Sequence, residues 1–357
     1  MESNIITVPG IISDIDGVIV KASRALPGST EAVKILKTAL GDLNPEQFGA
    51  EKTTLPFVCL TNIGDATEEE RAEALNISLG LKDTPFQILP SQMLLNYSCL
   101  RPVFESLKDK TVLISGLGEV ARALESAGLQ NYLTIDEYIS LYPYISPSHP
   151  FTTKPATSEM IESIRKRLGV TEEQLLKEPW EIHAFFSMMS PDKWEDNIQV
   201  LCDLIGKRQR QSGSDTGDQQ QIPVYFGTAD LTFFTKYGPR IASGFFKECL
   251  ELCYRKVFNK ELVSEITGKP SRHGYEYSMK LLQKQTKYPI SNYYMIGDNP
   301  QTDIRGASKL GIKTILVKSG VFGGKLENDP EDPADYVVES MYEAVKLILK
   351  IENIKTL

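Results

Sequence analysis

Two aspartates two residues apart interrupt an apolar run near the start of the chain: Gly10-Ile11-Ile12-Ser13-Asp14-Ile15-Asp16-Gly17-Val18-Ile19-Val20. Side chains alternate faces along a strand, so residues two apart point the same way. In an open parallel sheet, acids at the carboxyl end of such a strand lie in the crevice that binds ligands. Two carboxylates this close repel, and one is pushed toward protonation unless a cation lies between them. A hard divalent ion with oxygen ligands relieves that repulsion, and Mg2+ is the usual choice. Gly17 allows a tight turn and a close approach of backbone to ligand. Alone, D-x-D-G equally suits a surface turn, where Asp-Gly is a common dipeptide.

Three further segments carry residues of matching chemistry. In Met295-Ile296-Gly297-Asp298-Asn299-Pro300-Gln301-Thr302-Asp303, an acid again follows a buried strand, with a second acid five residues on. Asp298 can complete a metal shell. Asp303 can orient Asp298, a ligated water or Lys269 from behind the shell, and can also cap the helix that follows. Leu60-Thr61-Asn62 places a hydroxyl and backbone N–H groups at a strand end, an arrangement suited to a phosphate oxygen. In Thr267-Gly268-Lys269-Pro270-Ser271, the proline keeps Lys269 out of the helical region. A fixed ammonium there is a good phosphate anchor, although most lysines are solvated surface charge.

Taken in order, these four segments resemble the four motifs of the haloacid dehalogenase superfamily phosphohydrolases. The long stretch between the second and third motifs resembles the C2 cap of class IIA. GDNPQTDIRGA most resembles the subgroup similar to cat eye syndrome critical region protein 5 and its uncharacterised fungal relatives. The resemblance implies an α/β fold, with a Rossmann-like doubly wound parallel-sheet core and an inserted α/β cap. It implies Asp14 as a nucleophile forming an aspartyl-phosphate, and Asp16 as general acid and then base. It implies Mg2+ held by the Asp14 carboxylate, the Asp16 backbone carbonyl and Asp298, with Asn299 and Asp303 supporting that shell. Thr61, Lys269 and the N–H groups near Asp16 and Asn62 would bind the phosphoryl oxygens. The implied activity is Mg2+-dependent hydrolysis of a small phosphomonoester, its partner a small phosphorylated metabolite. Relatives often form homodimers through the cap, but no apolar stripe here demands one. The branch often has T-N-x-D in the cap, where this chain has Thr228-Ala229-Asp230. Asp230 is therefore either a cap residue facing the substrate or a strand-end turn acid.

The elements that must position these residues follow a β-α pattern. Residues 11–20 and 55–62 are predicted as buried strands, 29–40 and 65–81 as helices, which is the start of a doubly wound sheet. A second series begins near 110, with strands in 110–115, 181–190 and 222–230 and a helix over 194–205. The first pattern resumes with helices at 244–257 and 275–286, a strand then loop over 292–300, a strand at 312–320, and a closing helix at 341–351. The predicted organisation is a discontinuous core of 1–91 and 241–357, split by a cap of 92–240. The polar, Gly/Ser/Gln-rich 207–221 is expected to be a surface loop.

Composition narrows the partners. The chain has 357 residues and a net charge of -8, which argues against a nucleic-acid partner, because phosphate backbones call for a basic face. No stretch reaches the roughly 18 apolar residues of a membrane helix. The start, MESNIITVPG, has neither a signal-peptide pattern nor an Arg-rich transit pattern, so a cytoplasmic protein is expected. The five cysteines are scattered and suit a reduced protein without a disulfide framework; Cys249 and Cys253 share a helical face as core residues. His149, His183 and His273 match no ligand spacing. GLGEVA (116–121) lacks the full dinucleotide pattern, which argues against NAD. Trp180, Trp194, Phe185 and Phe186 are expected in the cap core. The alternative function is a binding or regulatory protein on a catalytically weak or inactive core. The paired acids count against it, because an idle fold has no chemical reason to keep two repelling carboxylates. A dehalogenase does not need Asp16.

Overall fold

The computed structural model describes residues 6–146, 154–177, 179–206, 222–235, 238–323 and 327–354. The loop expected at 207–221 and His149 lie outside the described residues. The chain divides into two compact units, one of Met1–Asn62, Glu68–Asn96 and Gly268–Leu357, the other of Ile63–Thr67 and Tyr97–Thr267.

The first unit is built on a six-stranded sheet in the order Tyr336–Val338, Lys313–Val317, Ile290–Gly297, Val8–Ser13, Phe57–Leu60, Met93–Leu94. Every neighbouring pair is parallel. Val8–Ser13 is buried at every position, which explains its uninterrupted apolar character. From Val8–Ser13 the chain first adds strands on one side, then returns to add three on the other, so the order reverses between Val8–Ser13 and Ile290–Gly297. Reversal opens a crevice at the strands' carboxyl ends, where ligands bind in such sheets. Asp14 and Asp298 follow those two strands directly. Helix Arg272–Lys284 covers one face, packing Tyr275 and Leu282 against Ile12, Val58, Leu60 and Met295. Ser29–Lys37 and Met341–Ile351 are the helices predicted at 29–40 and 341–351.

The second unit has its own five-stranded parallel sheet, in the order Glu265–Ile266, Val224–Phe226, Phe185–Ser187, Val112–Ser115, Tyr132–Thr134. Its core contains Phe185, with Trp180 and Trp194 packed against it. Phe186 is buried between the rings of Phe104 and Tyr225. These aromatics are core, as expected. The cysteines are all free thiols. The sequence predicts that the insertion ends at 240. Helix Ser243–Phe258 instead buries Phe246, Leu250 and Tyr254 among Val200, Leu201 and Val224 of the second unit, and the chain rejoins the first unit at Gly268. Apolar periodicity shows which face of a helix is buried, but not which core buries it.

Candidate active site

Strand Val8–Ser13 delivers Asp14, whose N–H extends the ladder by donating to Ile296 O at 2.9 Å. The chain then folds into a tight turn in which Ile15 O accepts from the N–H groups of Ile19 and Val20 at 2.8 and 3.0 Å. Asp14, Asp298 and Asp303 form a buried cluster in which one carboxylate oxygen from each lies within 4.8 Å of the other two. Asp16 is not a member; its carboxylate pairs with Arg71 at 2.6 Å and is exposed. Strand alternation predicts that both acids point the same way, but the strand stops at Ser13, and alternation ends with it.

Lys269 joins this cluster from the segment before helix Arg272–Lys284. Its Nζ donates to Asp14 Oδ1 at 2.6 Å and to Asp303 Oδ1 at 2.7 Å. Burial alone would lower the pKa of this ammonium, but Asp14 and Asp303 outweigh burial and hold it well above the usual lysine value. Asn62 fixes the lysine from the neighbouring strand end: Lys269 N–H donates to Asn62 Oδ1 at 2.7 Å, and Asn62 Nδ2 donates to Lys269 O at 3.1 Å. The Asn62 side chain is therefore a latch on Lys269. Thr61, one residue earlier, is buried, and its N–H donates to Leu94 O at 2.9 Å.

Asp303 sits in a single π-helical turn, Pro300–Ile304, that folds it back beneath Asp298. Its Oδ2 accepts from the N–H groups of Asp298 and Asn299, each at 3.1 Å. With Lys269 on Oδ1, both oxygens are engaged, so Asp303 orients its neighbours and is not placed as a direct metal ligand. The Asn299 side chain instead accepts from Gln301 N–H at 3.1 Å and caps the turn. Burial first, then Asp14 and Asp303, push the Asp298 carboxyl well above the usual carboxylate range.

Asp298 also rests in a cradle that sequence reasoning missed. A Cβ on Gly17 would lie 2.2 Å from Asp298 Oδ2, and one on Gly320 only 1.8 Å away. Val321 N–H donates to the same oxygen at 2.6 Å, and Ser319 Oγ donates to Gly17 O at 2.7 Å. The Gly-rich KSGVFGG after strand Lys313–Val317 was the available signal.

A divalent cation fits this donor set. Among the described residues, Asp14 Oδ2 and Asp298 Oδ1 have no protein donor, and both are hard oxygens in one buried cluster. With all three acids ionised, as a bound cation requires, three carboxylates against one ammonium leave an excess of two negative charges. Asp230 belongs to the second unit, where Thr228 Oγ1 donates to its carboxylate at 2.8 Å and accepts from its N–H at 3.0 Å. Those bonds close a compact turn after strand Val224–Phe226.

Comparison with known proteins agrees with this geometry. A haloacid dehalogenase-like hydrolase model matches residues 11–130, and a HAD-hydrolase-like model matches 266–344. The two matched segments contain Asp14, Asp16, Thr61, Lys269, Asp298 and Asp303. The chain belongs to the haloacid dehalogenase-like hydrolases. It is 28% identical over 342 residues to a cardiolipin synthase (CMP-forming) / mitochondrial hydrolase fusion protein of Schizosaccharomyces pombe, covering 94% of this chain and 52% of that protein. The chain thus spans about half the length of that relative. It is 23% identical to a mitochondrial hydrolase of Saccharomyces cerevisiae, covering 94% of each. Solved structures share the haloacid dehalogenase-like fold. A hypothetical protein of Pyrococcus horikoshii has a TM-score of 0.63 at 20% identity, with 96% of this chain and 100% of that one covered. The p-nitrophenyl phosphatase of Archaeoglobus fulgidus has a TM-score of 0.56 at 17% identity, with 96% and 99% covered. A glycerol phosphate phosphatase of Mycobacterium tuberculosis in complex with magnesium has a TM-score of 0.54 at 14% identity, with 94% and 76% covered.

Proposed function

We propose that this hydrolase is a Mg2+-dependent phosphatase that cleaves a small phosphomonoester through an aspartyl-phosphate on Asp14. The observation that carries this reading is the buried contact of Asp14 with Lys269, with Asp298 and Asp303 in the same cluster, at the switch point of the sheet. Magnesium, when bound by Asp14, Asp298 and the Asp16 carbonyl, supplies positive charge against the phosphoryl oxygens. The related phosphatase fold has been solved in complex with magnesium and with calcium, which supports a divalent cation.

The protein's own groups account for the remaining steps. The ammonium of Lys269 has three N–H donors, and two are spent on Asp14 and Asp303, so the third is available to a phosphoryl oxygen. With Thr61 it orients the ester so that an Asp14 oxygen attacks phosphorus in line. The Asp14 O–P bond forms as the bond from phosphorus to the ester oxygen breaks, and Asp16 gives that oxygen its proton. Asp16, now a carboxylate, takes a proton from water as that water attacks phosphorus and releases Asp14. Positioning and charge supply most of what phosphoryl transfer needs.

The partner on this reading is a small phosphorylated metabolite, with neither nucleic acid nor membrane engaged, and a homodimer is compatible with it. The names of the two fungal relatives favour mitochondria over the cytoplasm predicted from sequence; fractionation of the full-length protein discriminates the two. The activity is tested by phosphate release from a panel of phosphomonoesters, with Mg2+ and with chelator. Metal-dependent release supports the reading. No release from any ester by folded, Mg2+-loaded protein would favour a binding role.

A further inference from the structure

Arg71 is a residue that none of the four motifs contains. It lies in helix Glu68–Leu79, in the same unit as the acid cluster, and its side chain is only 18% exposed. Its Nη2 donates to Asp16 Oδ2 at 2.6 Å. Its Nε is buried without a hydrogen-bond partner. Asp16, by contrast, has a side chain 53% exposed, the only acid of the site with such freedom. An exposed carboxylate on a turn samples several rotamers unless something holds it. A half-buried guanidinium has less room to move than the exposed carboxylate it holds, and its planar fork suits a carboxylate oxygen.

We propose that Arg71 is the positioning residue for Asp16, anchoring Oδ2 so that Oδ1 alone carries the proton in both halves of the reaction. This rests on the phosphatase reading above. Among the described residues, Asp16 Oδ1 has no protein donor, so one oxygen is held and the other is open. In the first half, Oδ1 gives its proton to the ester oxygen as that oxygen leaves phosphorus. In the second half, the same Oδ1 takes a proton from the attacking water. Oδ2 accepts from Arg71 throughout, and Arg71 neither gains nor loses a proton. A single anchor thus serves the acid and the base step without a change of rotamer. The backbone turn alone does not fix this direction, because it constrains the chain only as far as the Asp16 Cα.

The test uses p-nitrophenyl phosphate with Mg2+ and four proteins: wild type, Arg71→Met, Asp16→Asn and the double variant, with Arg71→Lys beside them. Loss of the anchor should lower kcat about 10- to 100-fold, the scale of a misplaced catalytic group, with KM changed less than about threefold. Arg71→Lys, which keeps the charge but not the planar fork, should recover part of that loss. Because Arg71 acts only through Asp16, Arg71→Met should add less than about twofold to the loss already caused by Asp16→Asn. Full additivity in the double variant, a loss confined to KM, or wild-type kcat in Arg71→Met would each overturn the proposal. A thermal melt of each variant separates these outcomes from misfolding, and Arg71→Lys keeps the test open if Arg71→Met does not fold. Inactive wild-type protein would instead sink the phosphatase reading itself, so the two failures are distinct.

Discussion

Lys269 Nζ lies 2.7 Å from Asp303 Oδ1, and the two side chains are only 3% and 0% exposed. Neither charge has solvent to fall back on. Asp303→Ala would leave Lys269 with Asp14 alone and would orphan the N–H groups of Asp298 and Asn299. Breaking a buried pair from one side costs about 3–5 kcal/mol. Urea unfolding should show that loss as a lower midpoint at unchanged slope; a loss under about 1 kcal/mol would contradict the role given to Asp303.

The acid cluster should make metal binding stabilising and pH-dependent. Burial and its acidic neighbours raise the Asp298 carboxyl above its unfolded value. The ionised form is therefore the costly one in metal-free protein, and that cost fades as pH falls through the raised value toward the unfolded one. A cation needs the ionised form. The gap in Tm between Mg2+ and chelator should widen as pH rises through the raised Asp298 value and close as pH falls through it. A gap that does not change with pH would count against Asp298 as a ligand.

Gly320 touches the chemistry only through space. Its added Cβ would fall 1.8 Å from Asp298 Oδ2, so Gly320→Ala must displace that carboxylate. Disturbing what orients a ligand typically costs about 10- to 100-fold in metal affinity or activity. A Mg2+ titration of the activity should show the midpoint moving to higher concentration, and an unmoved midpoint would show that Asp298 has room to spare.

Far from the acids, Glu352 gathers Ser291 Oγ at 2.6 Å, Asn292 Nδ2 at 2.7 Å and Tyr294 OH at 2.5 Å, tying the chain after the closing helix to strand Ile290–Gly297. Glu352→Ala should lower stability by about 1–3 kcal/mol and leave kcat unchanged. An equal fall in kcat would mean that this end of the strand communicates with Asp298 at the other.

Much of this site is legible in the chain because strand ends announce themselves. Asp14, Thr61 and Asp298 each follow a buried apolar run, and the fold places all three at one edge of one sheet. Lys269 is legible through Pro270. What is not legible depends on turns and on packing across the sequence. The end of the strand at Ser13, and the turn closed by hydrogen bonds to Ile15 O, are encoded by no side-chain pattern. Arg71 reads as an ordinary helix cation, since nothing in Glu68-Glu69-Glu70-Arg71 marks a partner 55 residues away. Asn62 shows its residue type but not its bond to the Lys269 backbone. Helix Ser243–Phe258 shows its apolar face, while its allegiance to the second core rests on Val200, Leu201 and Val224, supplied by distant stretches of chain.

The mechanism turns on Asp14 taking the phosphoryl group, which is tested by phosphate release from wild type and Asp14→Asn side by side, with Mg2+ and with chelator. Wild-type protein should release phosphate only with Mg2+ and the variant none above background, with both proteins folded. Turnover by Asp14→Asn at the wild-type rate would contradict it.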